Sequence, residues 1–304
     1  MKPKTRILSI IALAGASLAS GQNLIYHYDF DANDGTGTTV NDVSGFGAPA
    51  HGTTYSGTPL FNGETERFGS AIPSPNGGFY ADFSGTNDQD RTRLMVEDTS
   101  KFDNQIAGGL GTGAFTVTMM LRDLAVVGAG NSQDGLFWGE RFSGGDGNRV
   151  GLHQAAPGAT TDVSALPMEV RVNGTTASLG NVDLTNSAVG DSNGWLFMAL
   201  TYSVADDTAR LYVAKELSGG VWVDLTEVGS ATIAATSIDS LTRGLVYGGS
   251  YQRNNPKARY DDFRVYDGVL DASALAAIPE PSTYAALFGL LAIGFVAWRR
   301  RRRA

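Results

Sequence analysis

The stretch Ala114-Phe-Thr-Val-Thr-Met-Met-Leu121 decides the fold. Phe115, Val117, Met119 and Leu121 recur at every second position, with Thr116 and Thr118 between them. A pleated strand sends alternate side chains to opposite faces, so this period predicts a strand with one packed face and a wet threonine face. A second stretch, Trp195-Leu-Phe-Met-Ala-Leu-Thr-Tyr202, is nearly continuous in apolar residues. Such a run suits either a central strand covered on both faces or a buried helix. Gly194 before it, its aromatic content and the turn cluster from Ser203 to Thr208 favour the strand.

The rest of the chain repeats this pattern. It has 39 glycines and 10 prolines, and no run of apolar residues at helical spacing between its two ends. Further strands are predicted at Leu24–Phe30, Phe79–Phe83, Arg93–Glu97, Gly135–Phe142, Arg149–His153, Met168–Val172, Ala209–Ala214, Val221–Leu225, Gly244–Tyr247 and Ala258–Tyr266. Turn clusters such as Asp31-Ala-Asn-Asp-Gly and Asp42-Val-Ser-Gly45 separate them. Many short strands between turns point to an all-β, antiparallel two-sheet sandwich.

Both ends read as export signals. Lys2, Lys4 and Arg6 form a basic leader, Ile7 to Leu13 an apolar segment, and Ser17-Leu18-Ala19 or Ala19-Ser20-Gly21 a signal-peptidase site, so residues 1–21 are expected to be a signal peptide. At the other end Pro279-Glu280-Pro281 precedes an apolar run from Ser282 to Trp298, then Arg299, Arg300, Arg301, Arg302 and Arg303. As a helix, that run would be about 26 Å long, enough to cross a thin hydrocarbon core. The arginines stay cytoplasmic by the positive-inside rule and stop transfer, which leaves residues 22–278 outside as one domain anchored by a transmembrane helix. The prolines forbid a helix continuing upstream and predict an extended segment open to a processing enzyme.

Composition narrows the partners. The net charge of −8 conceals a sharper imbalance: without the three basic residues of the leader, and without Glu280 and the five arginines of the tail, 15 Lys and Arg face 30 Asp and Glu. Such a surface repels phosphate backbones and excludes nucleic acid as a natural partner, while attracting divalent cations. The chain has no cysteine, so thiol catalysis, thiolate metal sites and disulfide staples are all excluded.

The C-terminal order of Pro279, Glu280, Pro281, apolar run and arginine cluster resembles the PEP-CTERM sorting signal, read by exosortases, a family of membrane-embedded cysteine transpeptidases. The resemblance covers residues 279–304. It implies an exported protein of the cell envelope, anchored by its C-terminal helix and processed by an exosortase. The exported part, in turn, resembles the LamG-like jelly-roll branch of the concanavalin A-like lectin/glucanase superfamily. The carrying residues are Tyr28-Asp-Phe-Asp31, Asp42-Val-Ser-Gly45, Arg67-Phe-Gly-Ser-Ala71, Ala114-Phe-Thr-Val117, Gly194-Trp195 with Ala199-Leu-Thr-Tyr202, Arg210-Leu-Tyr-Val213 and Asp261-Asp-Phe-Arg-Val-Tyr266. The chain departs from that pattern where a pair of histidines often follows the tryptophan; here Leu196 and Phe197 stand there. The resemblance implies a jelly-roll topology and binding of glycan or matrix polymer at the cell surface.

One carboxylate cluster invites a metal. Alternation in Asp261-Asp262-Phe263-Arg264-Val265 predicts Asp261 on the core face with Phe263 and Val265. A buried, unpaired carboxylate costs several kcal/mol unless a cation or hydrogen bonds meet it. The resemblance brings the end of the first strand near the last, so the expectation is one structural Ca²⁺ held by Asp31 with Asp261 or Asp262. The alternative is that Asp261 caps a loop or pairs with Arg259 or Arg264.

Catalysis has weaker support. A glycosidase needs two carboxyl groups flanking the bond, which laminarinase-like relatives present as Glu-x-Asp-x-x-Glu, and the sequence has no such motif. A polysaccharide hydrolase or lyase remains the alternative to a non-catalytic binder, because lyases use Tyr, His and Arg placed by the fold. Trp138 and Glu140 share one strand face, the arrangement of a sugar subsite, but the usual exposure of glutamate favours Glu140 as a solvated strand residue. His27, His51 and His153 are scattered, with His153 expected as a satisfied sheet residue. Loop aromatics such as Tyr55, Phe79, Tyr80, Trp222 and Tyr251 are available for sugar stacking without defining a set.

Overall fold

The computed structural model describes residues 22–30, 39–40, 42–45, 50–53, 68–69, 80–82, 93–96, 98–108, 111–125, 135–140, 148–154, 163–185, 194–217, 221–241, 244–247, 257–278 and 299. Along the chain, these form β1 (Leu24–Tyr28), β2 (Thr39–Val40), β3 (Ala50–Thr53), β4 (Phe68–Gly69), β5 (Tyr80–Asp82), β6 (Arg93–Val96) and helix α1 (Ser100–Gln105). Then come β7 (Ala114–Ala125), β8 (Gly135–Glu140), β9 (Asn148–Gln154), β10 (Leu166–Val172), β11 (Thr175–Val182), β12 (Leu196–Ser203) and β13 (Thr208–Leu217). The last elements are β14 (Val221–Trp222), β15 (Thr226–Thr232), β16 (Gly244–Tyr247), β17 (Lys257–Tyr266) and helix α2 (Ala272–Ala276).

The strands make two antiparallel sheets. One has nine strands in the order β14-β13-β12-β7-β17-β5-β4, with β1 also on β17 and β15 also on β13. The other has eight, in the order β11-β10-β9-β8-β16-β6-β3-β2. Between them lies a core to which both contribute, including Phe115, Val117, Met119, Leu200, Phe263 and Val265 from the first sheet and Phe137, Leu152, Val170 and Leu245 from the second. Phe137 meets Phe263 across the layers at 6.4 Å between ring centroids.

Period two governs β7 as expected on its core side: Phe115, Val117, Met119 and Leu121 are all buried between the sheets. Its other face corrects the sequence reading. Thr116 and Thr118 are both 0 % exposed, so the face expected to be wet is covered. Part of the cover comes from the chain after β17. Thr116 Oγ1 donates to Gly268 O at 2.7 Å and accepts from Leu270 N at 2.9 Å, while Leu275 of α2 joins Met120, Trp195, Phe197 and Tyr266 in a second apolar cluster on this outer face. Thr116 tolerates its site because its hydroxyl serves these backbone groups while its methyl packs; the Thr118 hydroxyl is buried with no hydrogen bond among the described residues. Strand β12, central between β7 and β13, is buried along its whole length on both faces, as its continuous apolar run predicts.

The sheets also touch along one margin, where β15 approaches β11. A Cβ added to Gly229 would lie 2.2 Å from Leu179 O, so only glycine allows this approach. Residues 1–21 and 279–298, the expected leader, processing tripeptide and membrane helix, lie outside the described residues. Among the described residues no helix is long and apolar enough to cross a membrane.

Candidate functional site

Ionisable side chains gather where β1 runs beside β17. The pairing sets His27 opposite Arg264 and Tyr28 opposite Phe263. On its other side β17 pairs with β7, where Asp261 stands opposite Met120 and Arg264 opposite Thr118. Three residues of β17 therefore advance against two of β7, which is a β-bulge, and Asp262 takes the left-handed conformation with φ +50°. Aspartate is one of the few side chains that enters this region at modest cost.

The bulge corrects the expected facing of Asp261. Strict alternation would place it with Phe263 in the inter-sheet core. The extra residue breaks the period, so Asp261 pairs with Met120 of the outer cluster whereas Phe263 and Val265 belong to the core. Both carboxylates are nevertheless almost fully buried, Asp261 at 0 % and Asp262 at 1 % exposure.

Asp262 is met by two partners on one oxygen. His27 Nε2 lies 2.6 Å from Asp262 Oδ1, and Arg264 Nε donates to the same atom at 2.7 Å. Burial by itself would push the Asp262 carboxyl up, but the His27 hydrogen bond and the Arg264 charge outweigh it and hold the group below the usual carboxylate range. The Asp262 charge likewise overcomes burial at Arg264 and raises its pKa further. Tyr266 lies beside this pair; burial pushes its phenol up, against the lowering influence of Arg264. His27, Arg264 and Tyr266 thus line one patch with Asp262 beneath them.

The Asp42-Val-Ser-Gly45 segment positions His27. Asp42 Oδ1 accepts from His27 N at 3.0 Å and Ser44 N at 2.9 Å, Asp42 Oδ2 accepts from Ser44 Oγ at 2.8 Å, and Val43 N donates to His27 O at 2.8 Å. The turn motif acts as a brace on β1, a role its sequence signals only as a turn.

Of the expected calcium ligands, Asp31 lies outside the described residues. Asp261 Oδ1 accepts from Asp262 N at 2.8 Å, and Asp262 Oδ1 is matched by Arg264 and His27, while Asp262 Oδ2 is buried and accepts no hydrogen bond among the described residues. Among the described residues no group of three or more His, Asp or Glu side chains is arranged to hold a metal ion.

The other sequence candidates fall apart in space. His153, buried on β9, stands opposite Glu169 with Nε2 3.6 Å from Glu169 Oε2, too far for a hydrogen bond, and neither of its ring nitrogens is hydrogen-bonded among the described residues, which corrects the expectation of a satisfied sheet histidine. His51 lies on β3, in the sheet opposite His27. Trp138 and Glu140 lie on β8, with side chains outside the described set. Tyr80 is committed to packing, edge-on to Trp195 at 5.9 Å between centroids, and Trp222 packs against the same cluster. Tyr55, Phe79 and Tyr251 lie outside the described residues.

Sequence reasoning missed a hollow of about 450 Å³ lined by Asn173, Thr175, Asp207 and Thr236, among others. It forms where the β10–β11 hairpin meets the β12–β13 turn. Asn173 and Gly174 both have positive φ, the pairing that a tight two-residue hairpin needs. Asn173 is occupied structurally, donating to Ser237 O at 2.6 Å and accepting from Asp239 N at 2.8 Å. Asp207 Oδ1 has a long bond of 3.4 Å from Ala235 N. The Asn-Gly pair was the available signal for the hairpin; its meeting with Asp207 is a product of topology.

The described body is an all-β protein of two packed antiparallel sheets. Its C-terminal residues 277–302 match the PEP-CTERM protein-sorting motif, so the chain carries that sorting signal. The matched stretch contains Pro279, Glu280, Pro281 and Arg299 to Arg302, and begins two residues earlier than the tripeptide. The motif implies export to the cell envelope and processing by an exosortase. No curated protein matches the chain in sequence. Among solved structures it is similar to domain 4 of AbnA, a GH43 extracellular arabinanase from Geobacillus stearothermophilus, in complex with arabinotriose, at 15 % identity and TM-score 0.49, covering 85 % of this chain and 99 % of that one. It is also similar to Trypanosoma rangeli sialidase, at 14 % identity and TM-score 0.48, covering 84 % of this chain and 32 % of the sialidase. A third is the binding domain of Paraclostridial Mosquitocidal Protein 1, at 14 % identity and TM-score 0.49, covering 84 % of this chain and 52 % of that one.

Proposed function

We propose that this is a surface or extracellular-matrix protein, released from its leader by signal peptidase and processed by an exosortase, whose sandwich is a LamG-like, concanavalin A-type jelly roll that binds carbohydrate or matrix polymer without catalysis. The apolar run from Ser282 to Trp298 anchors it in the membrane before processing. The observation that carries the reading is the sorting motif following directly on a large two-sheet body. Binding is supported by the hollow at Asn173, Thr175, Asp207 and Thr236, whose carboxylate and hydroxyl groups suit sugar hydroxyls. It is supported too by the compensated, buried state of Asp262, which suits a structural ion pair better than a proton-transfer site.

A second reading has its own observation. His27, Arg264 and Tyr266 stand together over Asp262, and these are residue types with which a polysaccharide lyase abstracts and returns protons. One structural Ca²⁺, with Asp31 and Asp261 or Asp262 as ligands, also belongs to the proposal; Asp262 Oδ2 is the oxygen left for it.

A glycan array run beside a reducing-end and unsaturated-product assay on the processed protein separates binder from enzyme. Retention on an array without product supports binding. Product that disappears in His27→Ala establishes the lyase instead.

A further inference from the structure

The beginning and end of the folded body are fastened to each other. Asn23 Nδ2 donates to Asp267 Oδ2 at 2.8 Å, Asp267 N to Asn23 O at 3.0 Å, and Gln22 Nε2 to Val269 O at 2.6 Å. Asn23 N also donates to Asp267 Oδ1. Thr116 holds the same segment from below through Gly268 and Leu270. The chain then enters α2, whose first turn is capped by Asp271 Oδ1 accepting from Ala274 N at 2.8 Å. Leu275 is buried in the outer cluster, Ile278 packs against that cluster, and Ile278 N donates to Leu275 O at 3.2 Å. The sorting motif starts at residue 277, so its first two residues belong to the folded body. No spacer intervenes.

We infer that, while the tail is uncut, the sandwich is held against the lipid surface by the α2-bearing face of its nine-stranded sheet. This rests on the membrane-anchored reading proposed above. Only Pro279, Glu280 and Pro281 separate Ile278 from the apolar run at Ser282. Four residue steps reach at most about 14 Å even when fully extended. The headgroup layer takes up about 5–7 Å of that. The remaining slack, about 7–9 Å, is smaller than the roughly 10 Å between two packed sheets, so the body cannot turn its other layer toward the membrane. The exposed residues beside the tether are Asp271, Ala272, Ser273 and Ala276, small and without basic charge. These four offer neither an apolar anchor nor a cation for anionic lipid, so at α2 the contact is imposed by the tether.

Because the chain has no cysteine, single labels are straightforward. Ala276→Cys and Ser178→Cys place a fluorophore on exposed sites of α2 and of β11 in the other sheet. Each is introduced into the chain with its tail intact and reconstituted in phosphatidylcholine–phosphatidylglycerol vesicles carrying a headgroup quencher. The expected result is quenching several-fold stronger at Ala276→Cys than at Ser178→Cys. That difference should collapse when a Gly-Ser linker of about 30 residues, whose root-mean-square reach is about 30 Å, is inserted between Ile278 and Pro279. Equal quenching of the two labels in protein that floats with the vesicles overturns the inference and leaves the anchor standing. Failure to float overturns both.

Discussion

His27 and Arg264 face each other across the β1–β17 pairing and direct their side-chain nitrogens at the same oxygen of Asp262, at 2.6 and 2.7 Å. Neither strand alone holds this arrangement. It needs the bulge that turns Asp262 into the left-handed region and the Asp42 brace that fixes the His27 backbone.

Asp262→Asn keeps the shape and tolerates the positive φ but removes the charge. We expect it to destabilise the protein by about 3 kcal/mol at pH 7, because Arg264 is left buried without its counter-ion. The folded-state pKa of Asp262 lies below the unfolded value, so its contribution is present above about pH 4 and is lost as pH falls through the folded pKa. Urea unfolding of both proteins at pH 7 and pH 3 checks this. The gap between them should be smaller at pH 3 than at pH 7, because the loss begins as pH falls below about 4.

Gly229→Ala puts a methyl group 2.2 Å from Leu179 O, where β15 and β11 meet. The obstructing atom is backbone, so relief requires the strands to move. A loss of about 2 kcal/mol is expected, or several degrees in Tm by calorimetry.

Thr116→Val preserves the volume of the side chain and deletes both of its hydrogen bonds to Gly268 and Leu270. Leaving that buried carbonyl and amide unpaired should cost about 2 kcal/mol. The weakened segment is the one leading into α2, so limited proteolysis should cut after Tyr266 earlier than in the parent protein.

Removal of calcium tests Asp262 Oδ2. An ion bound to the folded state alone stabilises it by mass action, so EDTA should lower Tm of metal-replete protein by a few degrees and added calcium should restore it. An unchanged Tm leaves Arg264 as the counter-charge of Asp262, with His27 as its hydrogen-bond partner.

Asp207→Asn keeps the turn geometry and removes the carboxylate from the hollow beside the β10–β11 hairpin. If that hollow holds the glycan, affinity for an array-positive sugar should fall about tenfold, with Tm little changed, since a charge-assisted hydrogen bond is worth about 1.5 kcal/mol. Unaltered affinity places the sugar elsewhere.

The sandwich was legible because its central strands obey simple periods: alternation in Phe115 to Leu121 and a continuous apolar run in Leu196 to Tyr202. Strands β11 and β15 were not, since Thr175 to Val182 and Thr226 to Thr232 are polar, glycine-containing segments that pair through their backbones at sheet margins. Helices α1 and α2, of six and five residues, are too short for a helical period to show. The closeness of the first and last strands followed from the family resemblance, and the β1–β17 pairing bears it out. The bulge at Asp262 did not follow. Nothing in Asp261-Asp262-Phe263 marks an extra residue, and one such residue reverses the facing of everything before it.

The central claim, an exported sandwich relieved of both its ends, is tested most directly by the intact mass of the native mature protein recovered from the cell envelope. The account predicts a chain that begins after Ala19 or Gly21 and ends at or near Pro279 to Pro281, without Arg299 to Arg303. A full-length 32.0 kDa polypeptide in the cytosol, keeping Met1 and all five terminal arginines, would contradict it.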